Sequence, residues 1–248
     1  MERTGAQRRG YKGAAFLSGG FRPFFLCGAA FGALAVPLWV AILQGFATSS
    51  AGRLGPIYWH AHEMVFGYLA AIIGGFLLTA IPNWTGRLPV MGARLGILLS
   101  LWFAGRVGVV LLATTSCPPA IVFLLDIAYP LALLATTLRE IIHGRNWRNL
   151  PVVLLVATFT LANLLFYAQF WADVPPLLGI HLALGVAAIM ISLIGGRIVP
   201  SFTRNWLVRQ GIQHLPASFR NTDKAAIGLT AAAVIAWPIN ASASASQA

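Results

Sequence analysis

Six ionisable residues stand in or at the ends of strongly apolar stretches, where charge is expensive and so marks a functional hypothesis. His60, His62 and Glu63 open the stretch from Trp59 to Arg87, WHAHEMVFGYLAAIIGGFLLTAIPNWTGR. Arg106 and Asp126 each interrupt an apolar block, and His181 opens another. Neutral imidazole is a good axial ligand for haem iron and a good ligand for copper, and a neighbouring carboxylate can hold its second ring nitrogen. On a helix, positions i, i+3, i+4 and i+7 share a face. His60 therefore lines up with Glu63, Met64, Gly67, Ala71 and Gly74, whereas His62 sits about 200° away above Phe66 and Leu69. The two histidines cannot ligate one ion from a regular helix unless His60 precedes the first turn.

His181 heads a stripe of small residues, Gly185, Ala188, Ser192, Gly195 and Gly196, of the kind that lets membrane helices approach closely. Measured along their helices at 1.5 Å per residue, His60, His62, Glu63 and His181 all lie within about 10 Å of the outer ends. Three histidines at one depth form a candidate metal constellation. The competing reading is an interfacial belt, in which Tyr58, Trp59 and the histidines anchor the helix at the headgroups. Arg106 and Asp126 each lie ~10 Å deep, and adjacent antiparallel helices would let them pair, the natural resolution for two such charges. That pair is either structural, or it presents Arg106 to a haem propionate with Asp126 as its orienting partner.

The elements that must position these groups are apolar helices. Hydrophobic residues make up 58% of the chain and charged residues 9%, with apolar blocks of membrane-spanning length recurring throughout. This describes an all-α, polytopic transmembrane bundle. The unbroken apolar runs lack the alternation of a barrel strand. The expected layout is a basic tail over residues 1–20, six helices within 21–200, a basic segment over 201–224, a short seventh helix over 225–240, and a low-complexity, disordered tail over 241–248. The second helix is expected over about 57–81, the fourth to end near Leu138, and the sixth to run from Leu177 to Val199.

The net charge of +11 would raise nucleic acid as a partner in a soluble chain. Its distribution points to lipid instead. Counting Lys and Arg between the helices, fifteen fall on one side and one, Arg53, on the other. That is the positive-inside pattern, with the N-terminus cytoplasmic. Most of the inner arginines are expected to meet lipid phosphate. The two cysteines, Cys27 and Cys117, fall most of a ~30 Å hydrocarbon layer apart, too far for a disulfide. There is no P-loop, Cys-x-x-Cys-His, Gly-x-Ser-x-Gly or zinc-type His-Glu-x-x-His motif, and no catalytic residue is assigned. A shift of 118 positions lays the second helix on the sixth, matching Gly67 to Gly185, Pro82 to Pro200 and Thr85 to Thr203, with Glu63 opposite His181. It suggests a parallel repeat.

Three motifs, FRPFF at 21–25, WHAHEMVFGY at 59–68 and GFLLTAIPNWTG at 75–86, resemble the NnrS family of bacterial haem- and copper-containing membrane proteins. The resemblance implies an inner-membrane protein of about twelve helices, associated with denitrification and with resistance to nitric oxide and nitrosative stress. It supplies no ligand assignment. The chain ends after about six and a half helices, so a truncated form or fragment is expected. The resulting expectation is a haem/copper protein in which His60, His62 and His181 ligate metal, supported by Glu63, Arg106 and Asp126, with nitric oxide as substrate, ligand or signal. The alternatives are a permease whose substrate path is lined by the second and sixth helices, a signalling scaffold without a cofactor, and a redox enzyme.

Overall fold

The structure, a computed structural model, describes residues 11–46, 53–115, 117–216 and 220–245. All its regular elements are helical: α1 (Phe21–Leu43), α2 (Gly55–Thr85), α3 (Ala93–Thr114), α4 (Pro119–His143), α5 (Leu150–Trp171), α6 (Leu177–Arg209) and α7 (Asn221–Ala245), with 3-10 turns at Ala15–Leu17 and Trp147–Asn149. The first six are long and apolar enough to cross a membrane, so the chain is a multi-pass membrane protein. The free thiols of Cys27 and Cys117 agree with the expected absence of a disulfide.

Consecutive helices pair as hairpins, α1 with α2, α3 with α4 and α5 with α6, and α4 also packs on α2 and α5. Of the six spans α2 is the most buried and α1 the most exposed. α2 is not one regular helix. Gly55–His62 and Ala70–Thr85 are α-helical, and Glu63–Leu69 between them is a π-helix. The wider turn breaks the single face that a regular helix would run from His60 to Gly74. It is braced by aromatic donors on neighbouring helices. Trp102 Nε1 donates to the Gly67 carbonyl (2.9 Å) and Tyr129 Oη to the Ala70 carbonyl (3.2 Å), and both side chains are buried. In hydrocarbon no water is present to satisfy backbone groups that the changed register leaves open.

α2 ends on Gly86, whose φ of 69° is the left-handed conformation of a helix C-terminus, its N–H donating to the Pro82 carbonyl (2.9 Å). Beyond it, Arg87 Nε pairs with Glu140 Oε2 at 2.6 Å, and Asn146 donates to the Trp84 carbonyl. These contacts tie the end of α2 to the end of α4 and the loop after it.

Several boundaries differ from the sequence reading. α4 continues to His143 and α6 to Arg209, ten residues beyond Val199, because Arg204, Asn205, Trp206 and Arg209 have helix-compatible side chains and no glycine intervenes until Gly211. α7 spans Asn221–Ala245, taking in part of the expected tail, since its alanines are the strongest helix formers. Of the basic tail, residues 1–10 lie outside the described residues. The remainder folds onto the bundle: Gly92 N–H donates to the Leu17 carbonyl (2.9 Å) and Arg22 Nη1 to the Ala15 carbonyl (3.0 Å). Residues 246–248 of the C-terminal tail also lie outside the description.

Replacing Trp102 with Phe removes the donor to Gly67 and leaves a small void. The expected cost is about 1–3 kcal/mol, measured as a lower thermal unfolding midpoint of the detergent-solubilised protein with unchanged helical circular dichroism.

Candidate functional site

Where the π-helix begins, α2, α3, α4 and α5 bring six polar side chains together in the middle of an apolar bundle. Arg106 of α3 lies between two carboxylates. Its Nη1 donates to Glu63 Oε1 at 2.6 Å and its Nη2 donates to Asp126 Oδ1. On the far side of the carboxylates stands His62, fully buried, with Nδ1 2.9 Å from the same Glu63 oxygen and Nε2 3.2 Å from Asp126 Oδ2. The second contact has the length of an ion pair but lacks hydrogen-bond alignment. α5 completes the set: Asn163 Nδ2 donates to Asp126 Oδ2 (2.9 Å) and Tyr167 Oη to the same oxygen (3.4 Å).

Packing allows this closeness. At Gly67 the arginine lies against the backbone, and a Cβ there would stand 2.5 Å from Arg106 Nη1 and 2.9 Å from the Phe31 ring. The imidazole of His62 is walled by Phe66, Phe166 and Tyr167, with ring centroids at 5.3, 4.7 and 5.6 Å. Two carboxylates thus face one guanidinium and one imidazole. With the guanidinium and, when protonated, the imidazole set against the two carboxylates, the four charges can close at zero. In a medium where lone charges cost several kcal/mol each, this closure lets four ionisable groups share one apolar core.

The Arg106–Asp126 pair is therefore present, and Glu63 and His62 join it. Arg106 is 7% exposed, each terminal nitrogen donates to a carboxylate, and its buried Nε has no hydrogen-bond partner among the described residues. In this arrangement the guanidinium is committed to Glu63 and Asp126. His62 faces its two carboxylates instead of another histidine. His60, two residues earlier on α2, stacks on Trp39 of α1 with ring centroids 3.8 Å apart and planes 14° from parallel. Among the described residues, its Nδ1 and Trp39 Nε1 are both buried with no hydrogen-bond partner. His181 stands on α6 against Trp237 of α7, centroids 4.6 Å apart. Among the described residues no three His, Cys, Asp or Glu side chains are grouped as a metal site. The three histidines thus have three separate surroundings.

Sequence reasoning missed Asn163 and Tyr167. Neither belongs to a charged motif, and the available signal was weak: an Asn and a Tyr four positions apart, on one face of α5, within an otherwise apolar run. An apolar cleft of about 380 Å³ between α1, α2 and α6, walled by Phe25, Phe76 and Met190 among others, has no ionisable side chain in its lining and is separate from the cluster.

The sequence model of one family, described as NnrS protein, matches residues 15–248, nearly the whole chain, and the chain belongs to that family. It is a multi-pass membrane protein of the nitric-oxide-response family. No curated protein and no solved structure matches it.

Removing Arg106 leaves two buried carboxylates without their main cation. Arg106→Met is expected to destabilise the fold by about 3–5 kcal/mol. Adding Asp126→Asn to Arg106→Met should recover part of that loss, giving a non-additive cycle by thermal or chemical denaturation in detergent. Strict additivity would mean that the two charges do not depend on each other.

Proposed function

We propose that this NnrS-family chain, from a family whose resemblance implies both haem and copper, is a haem-binding protein of the bacterial inner membrane, acting in the nitric oxide and nitrosative-stress response linked to denitrification, with His60 as the side chain best fitted to hold the haem iron. The observation that carries the ligand choice is the buried Nδ1 of His60, unpartnered among the described residues, on a ring stacked on Trp39. Buried polar atoms are normally satisfied, and a ring nitrogen left without a partner suits a ligand supplied from outside the protein.

The other two candidates fit less well. His62 would have to give up Glu63 or Asp126 before either nitrogen could bind a metal. The His181 ring has a stacking partner but no carboxylate or second histidine grouped with it. A single imidazole such as His60 would suffice to hold a haem iron, for which it is a good ligand. A copper centre needs several ligands at one point, and the described residues do not offer that grouping. A bound haem supplies an iron position that nitric oxide can occupy. The chain's own part would be to hold that iron through His60, to fix the imidazole plane with Trp39, and to keep the neighbouring segment of α2 rigid through the Glu63–Arg106–Asp126 network.

An absorbance spectrum of the detergent-purified protein, taken with metal analysis, tests this. The expected result is a Soret band that falls more than about tenfold in His60→Ala, beyond the usual effect of losing only a supporting group, and that persists in His181→Ala. A loss confined to His181→Ala would move the ligand to α6. A folded protein without colour or metal would overturn the reading and favour a cofactor-free permease or scaffold.

A further inference from the structure

At the arginine-rich end of the α3–α4 hairpin a second cleft of about 380 Å³ opens between the two helices. It is two-sided in character. Deeper in, its walls are apolar, with Ile97 and Leu98 from α3 and the small Ala132 and Ala135 from α4, whose short side chains leave the groove open. At its rim stand Arg94, the second residue of α3, and Arg139, near the end of α4. The antiparallel hairpin brings these two to the same end. Both arginines are exposed, and among the described residues neither has a carboxylate partner. The one acidic lining residue, Glu140, is already paired with Arg87 at 2.6 Å. The rim therefore carries two uncompensated guanidinium groups above an apolar groove.

We propose that this cleft is a binding site for an anionic phospholipid, its phosphate held by Arg94 and Arg139 and an acyl chain lying along Ile97, Leu98 and Ala135. Guanidinium groups match phosphate oxygens in both charge and geometry, and basic pockets between membrane helices take anionic headgroups. A soluble phosphate would use the rim and make no contact with the apolar walls of Ile97, Leu98 and Ala135. A zwitterionic lipid brings its own cation, for which the cleft has no free carboxylate. The site uses neither the buried cluster nor any metal, so it stands or falls independently of the cofactor reading.

The test is native mass spectrometry of the delipidated full chain, titrated with phosphatidylglycerol and with phosphatidylcholine of the same acyl chains, and separately with glycerol phosphate as competitor. The intact chain is expected to prefer phosphatidylglycerol. Arg94→Gln with Arg139→Gln should weaken phosphatidylglycerol binding roughly 30-fold, at a factor of about five per arginine near an anionic headgroup, and should remove the preference. Ala135→Leu, which fills the groove at an exposed position and leaves both arginines in place, should weaken both lipids. Equal binding of the two lipids by the intact chain, or an Ala135→Leu variant that binds phosphatidylglycerol normally, would overturn the proposal. Full displacement by millimolar glycerol phosphate would likewise reduce the site to an anion site with no acyl groove. An unchanged thermal midpoint in phosphatidylcholine nanodiscs establishes that each variant is folded.

Discussion

The bundle depends on the guanidinium of Arg106 held between Glu63 and Asp126. Each of these groups alone would be a severe penalty in hydrocarbon. Together with His62 they form a set that can close its own charge, with Asn163 and Tyr167 taking up lone pairs that remain on Asp126. The contacts span four helices, so four elements are fixed in depth and rotation by one set of polar atoms. Apolar packing between membrane helices has little directionality of its own, because lipid tails compete for the same surfaces. The polar cluster supplies it.

The same cluster accounts for the irregularity of α2. Glu63 begins the π-helix, and the segment ends at Leu69, just before the carbonyl of Ala70 that Tyr129 caps. Gly67 within it lets Arg106 lie on the backbone and gives its carbonyl to Trp102. A wide turn at membrane depth is tolerable because its neighbours are large aromatic side chains that carry one polar atom each. The region that departs from ideal helical geometry is thus also the one most heavily supported by side chains from other helices, as expected of a site whose shape is kept for function.

Much of the architecture could be read from the residues alone. Apolar blocks of bilayer length leave little choice but helices, and two lone charges at matching depth, Arg106 and Asp126, announce a pair. The participation of Glu63 and His62 was less accessible, since their shared depth near the outer helix ends with His60 and His181 pointed to a metal constellation, with His62 as a ligand and Glu63 as its support. The π turn that changes their aim depends on tertiary partners, Trp102 and Tyr129, which lie 35 and 59 residues away from the carbonyls they cap. Asn163 was invisible for a related reason: a neutral amide in an apolar helix acquires meaning only when a carboxylate is placed beside it. The ends of α6 and α7 were misjudged because helix length was equated with bilayer thickness. A helix is free to continue past the headgroups wherever its side chains suit both settings.

Sequence spacing gives the cluster a history as well as a geometry. Glu63 precedes Arg106 by 43 residues and Asp126 precedes Asn163 by 37. At roughly 5–20 residues per second of synthesis, the glutamate is made about 2–9 s before its guanidinium partner. During that interval α2 carries a carboxylate whose guanidinium partner has not yet been made. The nascent helix must therefore stay near water or the insertion machinery until the α3–α4 hairpin arrives. Assembly of this protein in the membrane is in that sense timed by the order in which its charges are translated.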